Sequence, residues 1–372
     1  MKIYVWGTGV NAINFIVKCS DEIVAFIDNY KKEDYIEPWH VRVIQFDEYF
    51  KEKHKIVVAT SEQVYHDIRI QLCEMGLSEF EDFFYHEVWR KKVAVVYGNC
   101  HILPIKEGLR SNFDFSSQYG LYPMRMIQEI AKEYKDDFND TLFQHCDLFI
   151  HQSIRDNNRY GFQLSSRLLI SRLIDSCNII SIPNLYGLPE YYFPQVEKNL
   201  PHKEVRGRYY FSFRDKFIEK MEQQERSIDY MKQAILYDEF VSEGELNEAY
   251  FSYIEKVKNR EKEWDIKILD VLIDNHGTNK LYYDINHPTD FVLRYVTKRI
   301  LERLNCDCTQ GVLDLVTLLD TYEIPVYGQV CNYFGMNYDN NTLMRRFSKY
   351  TLSNGAITLD EYIQQYLWWM RV

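Results

Sequence analysis

The chain has 372 residues, with 44 basic against 55 acidic side chains and a formal net charge of −11; at about 150 residues per domain this length predicts two domains. A hydrophobic share of 46% beside 27% charged residues is globular composition and excludes a disordered or coiled-coil chain, and the acidic balance argues against a nucleic-acid partner, whose phosphates need a basic face. Apolar runs such as VAVV at 93–96 are far shorter than the ~20 residues of a transmembrane helix, and the opening MKIYVWGTG lacks a signal peptide's apolar core, so a cytoplasmic protein is expected.

In chain order, residues 1–90 read as strand KIYVWG (2–7), a helix from about Val10 to Ser20, strands EIVAFIDN (22–29) and VRVIQF (41–46), a helix DEYFKEK, strand HKIVVAT (54–60) and a helix from Glu62 to Gly76. Apolar strands alternating with helices predict a parallel, Rossmann-like sheet. Gly7-Thr8-Gly9 with Ala12 follows the first strand and opens a helix, and Asp28 ends the next strand. That spacing suits a phosphate on helix amides and a ribose on a carboxylate, so Gly7, Gly9 and Asp28 are candidate contacts for a nucleotide-sugar. A tight turn that merely needs glycine is the alternative.

A charged stretch, HEVWRKK (86–92), precedes a second strand, VAVVYG (93–98), which runs into Asn99, Cys100 and a helix starting near Ile102. The boundary is therefore placed at about 90, with residues 91–372 forming a larger, helix-rich α/β domain. Strands are expected at DLFIHQ (147–152) and NIISIPN (178–184), and helices over 162–176, 215–236, from the capping box Ser242-x-x-Glu245, over 264–275, after Thr289 and over 359–370. Trp368 and Trp369 on the last helix form either a partner-binding face or part of the core. Eight cysteines include no C-x-x-C pair, and Cys306-x-Cys308 lacks local partners for a tetrahedral site, so reduced thiols and no metal are expected.

Two motifs carry chemistry. Tyr97-Gly98-Asn99-Cys100-His101 puts a thiol where a buried strand turns into a helix, beside unpaired amides and the positive end of the helix dipole, the setting of a covalent nucleophile. Asp284-Ile285-Asn286-His287-Pro288-Thr289 places a carboxylate and an imidazole three residues apart before a helix, the arrangement that orients a general base. Between them, Gln152 and Asn157 are neutral groups suited to an oxyanion hole, and His151 stands on an apolar strand. Arg155, Arg159, Arg206 and Arg208 are cations suited to phosphates, and Tyr186, Tyr191 and Tyr192 lie in a Pro/Gly-rich loop either to stack on a ligand or to pack the loop.

A strand-end G-N-C early and a D-x-x-H-P-T late resemble the first and last blocks of the SGNH/GDSL esterases and acetyltransferases, with Cys100 where those carry serine; a thiol favours thioester chemistry. More closely, VYGNCH (96–101), DLFIHQSIRDN (147–157), IPNLYGLPEYYFPQ (182–195), DINHPT and IPVYGQV (324–330) resemble WcbI-type polysaccharide biosynthesis proteins of bacterial capsule pathways. Residues 1–90 resemble the small nucleotide-binding-like domain that precedes many bacterial sugar acyltransferases. In the WcbI-type family a Gln usually follows the motif cysteine, where this chain has His101.

The resemblance implies a cytoplasmic enzyme that transfers an acetyl group from acetyl-CoA to a sugar hydroxyl of a surface polysaccharide or its precursor. Cys100, His287, Asp284 and Gln152 would be catalytic, and Gly98, Asn99, His101, Arg155 and Arg159 would contact coenzyme A. His287 either deprotonates Cys100 to form an acyl-enzyme or deprotonates the acceptor directly. A carbohydrate esterase that uses water, and a non-catalytic subunit binding coenzyme A or a nucleotide-sugar in a glycan assembly complex, remain alternatives, and self-association into a homo-oligomer is open.

Overall fold

A computed structural model describes the chain except residues 31–33, 38, 47, 48, 50–53, 134–139, 186–190, 198–203, 206, 207, 210, 212, 309–320, 339–341, 347–354 and 372. Most of the expected helix over 47–53, together with Tyr186, Arg206 and the side chain of Arg208, lies outside the described residues. The chain divides into two compact units, one of residues 1–99 and 112–180, the other of residues 100–111 and 181–372.

The first unit opens with β1 (Lys2–Trp6), α1 (Val10–Lys18), β2 (Glu22–Ile27), β3 (Tyr35–Ile36), β4 (Val41–Ile44), β5 (Lys55–Val58), α2 (Glu62–Glu74) and β6 (Phe83–Tyr85). Their sheet runs β3-β4-β2-β1-β5-β6, parallel throughout except for the short edge strand β3. Ile3, Val5, Ile56, Val57 and Val58 are fully buried, as strands covered on both faces require. The direction of chain crossing reverses at β1, where the Gly7 turn leaves the sheet, which is the Rossmann-like order the alternating pattern predicts.

The chain continues through β7 (Lys92–Tyr97), α3 (Ile102–Ser111), α4 (Phe113–Gln118), β8 (Tyr119–Leu121), α5 (Ile127–Glu133), α6 (Asp140–His145), β9 (Cys146–Gln152), α7 (Ser166–Ile170) and β10 (Asn178–Ile182). A second sheet has the order β10-β9-β7-β8, with β7 parallel to both β8 and β9. Residues 88–92, the expected interdomain stretch, lead from β6 into β7 inside this unit. One apolar core joins the two sheets, with Tyr65, Ile68 and Tyr85 packed in the same cluster as Val95, Tyr122 and Phe149. At its centre the carboxylate of Glu79, 3% exposed, accepts from Arg69 Nε at 2.8 Å, from the Tyr122 hydroxyl at 3.0 Å and from the Tyr65 hydroxyl. The expected helix over 162–176 is a single 3-10 turn followed by the five residues of α7.

The second unit contains α3 and continues with β11 (Val196–Glu197), β12 (Glu204–Val205), β13 (Arg208–Tyr209), β14 (Arg214–Asp215), α8 (Lys216–Gln223), α9 (Ile228–Tyr237), α10 (Glu243–Arg260), α11 (Leu269–Asn275), α12 (Asp290–Arg303), β15 (Thr321–Tyr322), α13 (Gly328–Phe334), β16 (Thr342–Arg346), β17 (Gly355–Thr358) and α14 (Leu359–Arg371). Two expected helices are shorter than the periodicity suggests. The one over 215–236 breaks into α8 and α9 because Glu225 turns left-handed (φ 56°) and Ser227 starts a new cap on Tyr230. The one over 264–275 begins only at Leu269, since Asp265 bonds the Ser181 amide and hydroxyl at 2.8 Å each, which draws it out of helical pairing. The Ser242–Glu245 capping box closes in both directions on α10. Trp369 is buried and Trp368 half-exposed, so α14 is largely a core helix.

Removing Glu79 leaves Arg69 charged in the core without its carboxylate. Glu79→Ala is expected to destabilise the protein by about 3–5 kcal/mol, read as a lower midpoint in urea unfolding followed by tryptophan fluorescence.

Candidate active site

The Cys100 turn begins at the end of a buried strand. In the order β10-β9-β7-β8 the direction of crossing changes between β7 and β9, so the turn leaves the sheet at the switch point where α/β proteins build ligand sites. Gly98 is required there: a Cβ would lie 2.4 Å from Oε1 of Gln152 at the end of β9. That oxygen has little room to yield, because Gln152 is fully buried and accepts from the Asn99 amide at 2.8 Å. Gln152 thus braces the turn through its oxygen and takes up the Asn99 amide. Gly98 accepts through its carbonyl from the Ile127 amide at 2.9 Å.

The second motif sits in a narrow hairpin. Tyr282 bridges Pro288 in antiparallel fashion, and the Tyr283 and Thr289 amides donate to the His287 and Leu281 carbonyls at 2.9 Å each. Inside it, Asp284 Oδ1 accepts from the Asn286 and His287 amides at 2.6 and 2.8 Å, and Oδ2 accepts from His287 Nδ1 at 2.7 Å. The D-x-x-H spacing is the reach of one carboxylate closing its own turn and gripping the imidazole three residues on. Thr289 occupies the N-cap position of α12, but its hydroxyl donates to the Lys280 carbonyl at 2.8 Å instead of capping.

Both motifs immediately precede helices that pack against each other. Ile102, Ile105 and Leu109 of α3 are buried, as are Val292, Leu293 and Val296 of α12, and the two helices are in contact. Their starts are tied by His101, whose Nε2 donates to the Asn286 carbonyl at 2.8 Å. Cys100, partly exposed, is hydrogen-bonded to the His287 side chain. With Nδ1 held by Asp284, Nε2 is the nitrogen left for the sulfur. The result is a chain of thiol, imidazole and carboxylate, with the His287 side chain 18% exposed.

Burial by itself lowers the pKa of His287. The charge and hydrogen bond of Asp284 and the contact with Cys100 outweigh it and raise the value well above the usual 6.5. His101 goes the other way, down to about 4, because it is buried and faces the positive charge of His287. The two imidazoles, 6.4 Å apart, are thus shifted in opposite directions, His287 toward its charged form and His101 toward its neutral form.

The remaining candidates are described in their own surroundings. Gly7 has a left-handed φ of 114°, with Ala59 O only 2.9 Å from where a Cβ would be, whereas a Cβ on Gly9 would meet nothing within 4 Å. Asp28 accepts from the Thr8 hydroxyl at 2.6 Å and from the Tyr30 amide at 2.8 Å, closing the loop around that turn. Arg155, Asn157 and Arg159 are exposed after β9, and Arg159 stacks over Tyr160. His151 is buried and stacked on Phe149. Tyr191 and Tyr192 are fully buried and pack the loop. His101, expected from the sequence to contact coenzyme A, is buried with its Nε2 on a backbone carbonyl 185 residues away, a bond the sequence does not reveal.

These features define an α/β protein with parallel sheets and a cysteine, histidine and aspartate in one hydrogen-bonded line. It belongs to the family of the polysaccharide biosynthesis enzyme WcbI, whose family model matches residues 93–309, more than half of the chain. Residues 1–81 match the model of a C2185-like N-terminal region. A solved structure of WcbI, described as a novel polysaccharide biosynthesis enzyme in native form without a disulfide bond between coenzyme A and one of its cysteines, is similar in fold. It aligns with 76% of this chain and 91% of its own, at 18% identity and a TM-score of 0.57. No curated protein matches. Among the described residues no helix is long and apolar enough to cross a membrane.

The raised pKa of His287 has a defined sign. Its protonated form contributes stability fully below the unfolded value of about 6.5, and this contribution is lost as pH rises through the raised folded value. Asp284→Asn is expected to bring the His287 titration down toward the ordinary imidazole range and to weaken the fall in stability with rising pH. Imidazole NMR and melting temperatures across pH 5–9 check both.

Proposed function

We propose that the protein is an acyl-CoA-dependent O-acetyltransferase that acts on a sugar hydroxyl of a capsular or other surface polysaccharide, or of its precursor, in the cytoplasm. The observation that carries this reading is the hydrogen-bonded line Cys100–His287–Asp284. A thiol nucleophile suits a thioester donor, because moving an acyl group between two sulfurs is nearly isoenergetic. Membership of a polysaccharide biosynthesis family supports the carbohydrate acceptor, and the mention of coenzyme A in the description of the solved relative supports the donor.

A bound acyl-CoA supplies a carbonyl carbon activated as a thioester. Cys100 gives its proton to His287 Nε2, and its sulfur takes the acyl group while His287 returns the proton to the departing thiol. In the second half His287 accepts the proton of the sugar hydroxyl, whose oxygen takes the acyl group from Cys100, and the sulfur is released to be reprotonated by His287. Asp284 keeps the imidazole in the Nδ1–H tautomer and stabilises its charged form in both halves. In residues 1–90, proposed as a separate nucleotide-binding domain, the open space at Gly9 and the absence of a side-chain cap on α1 support the Gly7–Gly9 turn as a place for the phosphates of a nucleotide-sugar.

Acetyl-CoA without acceptor is expected to add one acetyl group to Cys100, seen by peptide mass spectrometry, and kinetics with acceptor to be ping-pong. Cys100→Ala is expected to abolish transfer and His287→Ala to lower it about 10²–10⁴-fold. Acetate release from acetylated glycans without coenzyme A would mark a hydrolase instead, and failure of coenzyme A to raise the melting temperature would remove the donor.

A further inference from the structure

The bonds that hold His287 come from its own hairpin: Asp284 fixes the Asn286 amide, the His287 amide and the imidazole, all within four residues. They determine how the ring sits in its loop and say nothing about where the sulfur is. Packing of α3 on α12 brings the two motifs near each other, but apolar contact is non-directional and by itself does not orient one polar atom toward another. Besides the contact of Cys100 with His287 itself, a directional bond from the nucleophile's side to the imidazole's side is the one from His101 Nε2 to the Asn286 carbonyl at 2.8 Å. It joins the residue just after Cys100 to the residue just before His287.

We propose that His101 is a positioning residue: its Nε2–H, held on the Asn286 carbonyl, locks the register between the Cys100 sulfur and His287 Nε2. The inference rests on the pairing of Cys100 with His287 used in the preceding reading. Two features suit His101 to the task. Its ring is 1% exposed, so water does not compete for the bond. With its pKa lowered to about 4 it is uncharged at neutral pH and adds no positive charge beside His287, whose own pKa is raised. A lysine or arginine could reach the same carbonyl but would bring a permanent charge next to that imidazole.

The test measures the rate at which iodoacetamide alkylates Cys100 in the full-length protein at pH 6, read from the peptide containing it, so neither acyl donor nor acceptor is involved. His101→Ala and His287→Ala are each expected to slow alkylation about tenfold, the scale of coupling between groups in contact. The double variant is expected to be no slower than His287→Ala alone. His101→Gln, whose side-chain amide can place a donor on the same carbonyl, is expected to retain the wild-type rate, and His101→Asn, one methylene shorter, to lose it. Melting temperatures identify any variant that fails to fold, and the Gln against Asn comparison carries the test if the alanine variant does. A wild-type rate in His101→Ala or His101→Asn, or a loss in a folded His101→Gln equal to that in His101→Asn, overturns the proposal while leaving the Cys100–His287 pairing intact. An unchanged rate in His287→Ala overturns the pairing and the register lock with it.

Discussion

The carboxylate of Asp284 closes the hairpin in which it sits, and the state of His287 depends on it. Its two oxygens accept three N–H groups at 2.6–2.8 Å, two from backbone and one from the imidazole. A buried carboxylate is costly unless it is fully hydrogen-bonded, and here the donors come from the turn the carboxylate itself creates. The same bonds choose the imidazole's tautomer and oppose the effect of burial on its pKa. Without them burial would pull the imidazole's pKa down.

The other half of the site depends on a rigid departure from a sheet. β7 is buried from Val93 to Tyr97, so its end has little freedom. Gly98 and Gln152 make the turn one that only a residue without a side chain can begin. The chain passes from one compact unit to the other between Asn99 and Cys100, so the sulfur immediately follows a stiff strand and immediately precedes a packed helix.

The two His residues show how neighbouring groups of one chemical type acquire different tasks. His287 has a carboxylate beside it and is pushed toward its charged form; His101 has a carbonyl and a cation beside it and is kept neutral. Residue type alone does not separate them. The separation comes from what each ring faces, and for His101 that includes the charge on His287 itself.

Strand periodicity marked β1, β2, β4, β5, β7, β9 and β10 within a few residues, because buried parallel strands appear as plain apolar runs. The carboxylate–imidazole pair was equally legible, since its partners are three residues apart and the contact is local. Helix lengths after residue 162 were not, because Asp265 bonds Ser181 far along the chain and Glu225 adopts a left-handed turn that periodicity does not reveal. The bond from the Asn99 amide to Gln152 Oε1 was not legible either: which atom of an amide faces which neighbour depends on β9 lying beside β7. The sequence by itself thus determined the local chemistry, a thiol at a strand-to-helix turn and an imidazole three residues from a carboxylate, because covalent spacing suffices for both. Only the tertiary structure decided that sulfur and imidazole meet, since that depends on α3 packing against α12 and on His101 reaching a carbonyl 185 residues away.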